Sequence, residues 1–155
     1  MDIGSGRGWP SSALSNFAPH KFTIDGIECN SMEGFLQSLK FKNPDMQEYV
    51  CGLVGIKAKN KGRKKNLRIA QTLWWRGKEI KRESDEYQEL LDRAYEALAD
   101  NTGFRAALLK TGNANLTHNI GKSKEQDTIL TWQEFCSRLM ILRTGIKEEI
   151  NEIYK

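Results

Sequence analysis

A chain of 155 residues, 39% of them apolar, 28% charged and 9% aromatic, has the material for one compact core. Mixed charge and only three prolines exclude disordered, collagen-like and low-complexity classes. No apolar run approaches the roughly 20 residues that span a bilayer, and the start Met1-Asp2-Ile3 is not a secretory leader. The expectation is a soluble, cytoplasmic protein without membrane contact. Cys29, Cys51 and Cys136 are odd in number and far apart, and His20 and His118 are the only imidazoles, so neither a disulfide framework nor a zinc-ligand spacing is present and no metal is expected.

In chain order, residues 1–20 are rich in glycine, serine and proline and read as irregular, draped over the body or lining a site. Asp25-Gly26 between alternating apolar residues predicts a hairpin that pairs Phe22 with Cys29 and Ile24 with Ile27. Met32, Phe35, Leu36 and Leu39 then fall on one face of a helix expected over 30–41, with Asn30 as its cap. A second helix is expected through Met46, Val50, Leu53 and Val54.

Residues 57–65 hold six cations and no acid, which leaves the rest of the chain at −2 out of a net +4. That local patch suits a phosphate-bearing ligand, a polynucleotide or simply a solvated loop. Trp74 and Trp75 precede Arg76-Gly77, a weaker turn. Adjacent residues of a strand point to opposite faces, so one indole can be core while the other stacks on a nucleobase. A Ser84 cap opens a helix carrying Tyr87, Leu90, Leu91, Ala94, Tyr95 and Leu98; a shorter helix carries Phe104 to Leu109; and Thr131 to Glu134 form a capping box ahead of the last helix. The sum is a single α+β domain over 1–155, mostly helical with a small antiparallel β-sheet.

Glu33 is the most informative acid, because Gln37 and Lys40 follow it on the same side of its helix. Asn30-Ser31-Met32-Glu33 reads equally as a capping box with Glu33 reaching back to the Asn30 amide. Gly121-Lys122-Ser123 is no P-loop, since Leu116 stands where the first glycine belongs. His118 reads as a satisfied loop histidine.

Leu14-Ser15-Asn16-Phe17-Ala18-Pro19, the hairpin, Glu33-Gly34-Phe35-Leu36-Gln37, Ala58-Lys59-Asn60-Lys61-Gly62-Arg63, Leu108-Leu109-Lys110-Thr111-Gly112-Asn113-Ala114 and Leu139-Met140-Ile141-Leu142-Arg143 follow one another in an order that resembles the NADAR, or YbiA-like, family over about residues 14–145. The resemblance implies an N-glycosidase that hydrolyses the ribose C1′–N bond of a phosphorylated riboside, such as a riboflavin precursor, or of an ADP-ribosylated nucleobase, free or attached to nucleic acid. It implies no cofactor. It also implies catalytic roles for Glu33, for Trp75 or Trp74, and for an aspartate in the C-terminal third, with Asn16, Phe17, Gln37, Lys59, Arg63, Trp74 and Asn113 around the substrate. The chain lacks the family's usual Asp-x-x-Trp-Gly; Asp127 is the best positional candidate for that acid and Glu134 the second. The chemistry is coherent: departure of a base leaves an oxocarbenium-like ribose that a carboxylate can stabilise while activating water. A binder of ADP-ribose-like nucleotides without catalysis is the alternative.

Overall fold

A computed structural model describes residues 1–154. The N-terminal stretch straps across the body: Asp2 bridges in parallel to Thr117, the terminal amine donates to the Asn115 carbonyl at 2.7 Å, and a short helix, α1 (Ser11–Leu14), follows. Strands β1 (Phe22–Ile24) and β2 (Ile27–Cys29) pair in the expected register. Asp25 and Gly26 both take positive φ, 49° and 79°, as a two-residue type I′ turn requires.

Helix α2 (Met32–Ser38) is shorter than its apolar spacing suggests, and its cap is Ser31 rather than Asn30. The Ser31 hydroxyl accepts from the Gly34 amide at 3.0 Å and donates to the Leu53 carbonyl at 2.8 Å. Asn30 instead ties down the end of the next helix, its backbone and side-chain amides donating to the carbonyls of Cys51 and Gly52. The one-residue shift moves Glu33 from the third to the second helical position, so its carboxylate does not close a capping box.

Helix α3 (Pro44–Cys51) starts early, on an Asn43 cap and a first-turn proline, and therefore ends before Leu53 and Val54. Met46 turns outward, while Gln47 is buried and donates to the carbonyls of Ser38, Phe41 and Trp74. A Cβ on Gly34 would stand 2.5 Å from the Leu53 carbonyl oxygen, so this glycine permits the close approach of α2 to the end of α3.

The basic run forms a helix, α4 (Gly55–Arg63), with Ala58 and Gly62 turned to the core and the cations outward. Helix α5 (Leu67–Ala70) leads into β3 (Thr72–Trp75), which pairs with β4 (Lys78–Lys81) through Arg76-Gly77. The β structure is two separate two-stranded sheets instead of one.

Helix α6 (Asp85–Leu98) starts at Ser84 and buries all six of its expected apolar residues. Helix α7 (Thr102–Lys110) and α8 (Trp132–Ile153) complete the fold, the latter with both halves of its capping box formed. Two of the sequence motifs meet here: buried Arg143 of α8 donates to the Thr111 hydroxyl at 2.8 Å, after the end of α7. Among the described residues no helix is long and apolar enough to cross a membrane.

Candidate active site

The first turn of α2 presents the site's central acid. The Glu33 amide donates to the Asn16 carbonyl at 2.9 Å, and the Asn16 side chain accepts from the buried Tyr95 hydroxyl at 2.8 Å. Asn16 is thus a clamp on the start of α2. With no cap to serve, the Glu33 carboxylate accepts from Gln37 Nε2 at 2.9 Å, one helical turn on. Both side chains are buried.

Burial drives the Glu33 pKa above the ordinary carboxylate range, against the Gln37 hydrogen bond and the positive fields of Lys59, Lys40 and His118. Lys40, just beyond the C-cap of α2, is itself held below its usual pKa, by burial first and with Lys122 adding repulsion, while Glu33 acts in the opposite direction. Lys59 reaches over from α4 with its ammonium 5.9 Å from the Phe17 ring centroid. A buried carboxylate that feels the positive charge of Lys40 and Lys59 is suited to proton transfer beside an anionic ligand.

Gly62 makes this packing possible. A Cβ there would lie 1.8 Å from Gln37 Oε1 and 3.0 Å from Gln37 Cβ, so the glycine of the Ala-Lys-x-x-Gly-Arg stretch is a recess for Gln37. Gly62→Ala is expected to cost about 1–3 kcal/mol of overpacking, less up to about 1 kcal/mol returned by alanine's helix propensity, read as a lower denaturant midpoint. A variant more stable than the parent would show that Gln37 can turn aside freely.

Residues 8–144 match the family described as "Bacteriophage protein GP30.3". The chain belongs to this family of the NADAR clan. It is 41% identical over 149 residues to an uncharacterized 17.1 kDa protein of the Gp30-rIII intergenic region of Enterobacteria phage T4, covering 94% of this chain and 98% of that one. It also matches the NMR structure of the E. coli protein YbiA with a TM-score of 0.63 at 20% identity, covering 97% of this chain and 85% of that chain. The fold is therefore YbiA-like.

In this GP30.3-family protein the sequence-derived candidates do not all converge. Glu33, Gln37, Asn16, Phe17 and Lys59 do. Trp75 does not: it is 6% exposed, meets Phe35 edge-on at 5.2 Å, and donates its indole N–H to Asp25 at 2.7 Å. It is a core residue that ties β3 to the first hairpin. Trp74, on the other face of β3, is half-buried. Arg63 is exposed one turn beyond Lys59 on α4. Asn113 serves α8, its side-chain oxygen accepting from Lys147 at 2.8 Å.

Asp127 lies in a short 3-10 turn, 3.2 Å from Arg68. Its backbone carbonyl accepts from the Lys122 ammonium at 3.5 Å. Glu134 is committed elsewhere, capping α8 and pairing with buried Arg82. His118 is the satisfied loop histidine that the sequence suggested, but its partner lies far away in the chain. His118 is held by the N-terminal strap, with Nδ1 2.6 Å from the Ile3 carbonyl and its ring edge-on to Phe135 at 5.4 Å. Because a carbonyl only accepts, the Nδ1–H donates to it. No local pattern signals this, since Ile3 and His118 are 115 residues apart. Among the described residues, no group of three or more His, Cys, Asp or Glu side chains could hold a metal ion.

Proposed function

We propose that the protein is an N-glycosidase acting on a phosphorylated riboside or an ADP-ribosylated nucleobase. The observation that carries the reading is Glu33, buried, aligned by Gln37 and lying within the positive fields of Lys59 and Lys40. In this reading the C1′–N bond breaks with its electron pair leaving on the base. The Glu33 carboxylate stabilises the positive ribose, and it takes the proton of the water that adds to C1′. Lys59 and Lys40 hold phosphate, and Trp74 lies against the base. Asp127 is the remaining acid for protonating the departing base.

The test is incubation of purified protein with such substrates in ¹⁸O-labelled water, read by mass spectrometry. Free base and a ribose carrying one ¹⁸O at C1′ are expected. Ligand recovered intact after prolonged incubation would overturn the enzyme and favour a nucleotide binder, the reading supported by the engagement of Asp127 with Arg68. Lys59→Ala is expected to raise KM about tenfold to a hundredfold on phosphorylated substrates, the worth of one hydrogen bond to a charged group. The penalty should shrink on the dephosphorylated riboside; equal penalties would remove Lys59 from the phosphate site.

A further inference from the structure

On the flank where α3 meets α4, two grooves of about 690 and 310 Å³ share Tyr49 as a common wall, and neither is lined by Glu33 or Gln37. We propose that this flank binds single-stranded nucleic acid, with phosphates on the α4 lysines and a base on Tyr49. The proposal does not rest on the glycosidase reading.

Lys57, Lys61 and Lys64 line the smaller groove and follow one another at i, i+4 and i+7, so they form one stripe about 10 Å long on the outer face of α4 and its C-cap. No acid interrupts that helix, and like charges one turn apart repel, so α4 gains from a polyanion laid along it. Among the described residues, the lysines in ion pairs are Lys78 and Lys81, on the second hairpin. Lys57, Lys61 and Lys64 thus have no ion-pair partner among the described residues. The larger groove adds Lys42 and Lys65, with Asp45 as its single acidic wall.

Charge alone would fit any polyanion; the aromatics narrow the choice. Tyr49 is 59% exposed, large for a ring between two grooves. Lys61 rests its ammonium 5.9 Å from the Tyr49 centroid, and Lys65 lies 5.3 Å from that of Phe41. A base stacked on Tyr49 would displace Lys61 toward the adjoining phosphate, so ring and cation serve one nucleotide together. Interleaved cations and flat faces are the pattern of sequence-tolerant single-strand binding.

The test is fluorescence anisotropy of the full chain with labelled dT12 and rU12, neither carrying any modification. Binding of either strand is expected, with log Kd against log salt giving a slope of about 2 to 3, as three or four phosphate contacts on a single strand require. Tyr49→Ala should weaken binding about 5- to 100-fold at unchanged slope, and Tyr49→Phe should restore it. Lys61→Gln with Lys64→Gln should lower the slope by about 1.4. Absence of binding at low salt would overturn the proposal. So would heparin oligosaccharide binding as tightly as dT12 with Tyr49→Ala indifferent, which would mark a nonspecific cationic face. Hydrolysis of a mononucleotide substrate by Tyr49→Ala, if the protein is a glycosidase, should equal that of the parent, so failure of this proposal and failure of the glycosidase reading are separately visible.

Discussion

Glu33→Gln is expected to lose about 10²–10⁴-fold in hydrolysis, the contribution of one positioned general acid–base group, while gaining thermal stability at neutral pH. The two effects share a cause. Burial holds the Glu33 pKa above that of an exposed carboxylate, so ionisation is harder in the folded chain than in the unfolded one. The favourable contribution of the neutral acid is therefore complete below the unfolded pKa and is lost as pH rises through the folded value. Glutamine keeps the shape and the hydrogen bond with Gln37 but has no charge to bury. Melting temperatures of parent and variant should converge at pH 4 and separate by pH 8, with the variant higher. A parent more stable at pH 8 would mean that Lys59, Lys40 and His118 outweigh desolvation. In the parent, the acid limb of kcat/KM should lie above the ordinary carboxylate range, since the base must be ionised to take a proton from water.

Arg82→Ala is expected to lower stability by about 3–5 kcal/mol, because it strands a buried carboxylate. At roughly 2–4 °C per kcal/mol for a chain of this size, the melting temperature should fall by about 6–20 °C. Arg82 has no exposed surface; its two terminal nitrogens meet the two Glu134 oxygens at 3.1 and 2.6 Å, its Nε donates to the Thr128 carbonyl at 2.9 Å, and its guanidinium lies 4.8 Å from the Tyr87 ring centroid. Burial by itself would raise the Glu134 pKa, but the hydrogen bonds from Arg82, Gln88 and the Thr131 amide more than offset it, and the net shift is downward. A depressed pKa contributes stability that is present above the unfolded value and is lost as pH falls through the folded one. Arg82→Ala should therefore flatten the acid side of the stability profile. Combining Arg82→Met with Glu134→Gln, which leaves no charge behind, should recover much of the loss; a double variant as unstable as the sum of the singles would show that the two side chains act independently.

Features encoded within a few residues were legible in the sequence. The hairpin register followed from Asp25-Gly26, two residues able to hold positive φ between alternating apolar neighbours. The start of α6 followed from Ser84, the start of α8 from the Thr131 box, and the buried face of α6 from its period. The order of short motifs along the chain pointed to the family. In each case the deciding interaction lies within a helical turn or a hairpin, so spacing alone carries the information.

Only the tertiary structure decided where the polar and aromatic groups went. Asn30 and Ser31 are both good caps, and the carbonyls at the end of α3 settled the choice by engaging one with Cys51 and Gly52 and the other with Leu53. Trp74 and Trp75 are equivalent in sequence; Phe35 and Asp25, the latter 50 residues away, buried the second of them. Lys59 and His118 come near Glu33 from segments distant in the chain, and the recess at Gly62 admits Gln37 because α4 packs on α2. The physical reason is the same throughout: the cost of leaving a buried polar group without a partner is met by groups distant in the chain, and no local period records which ones they are.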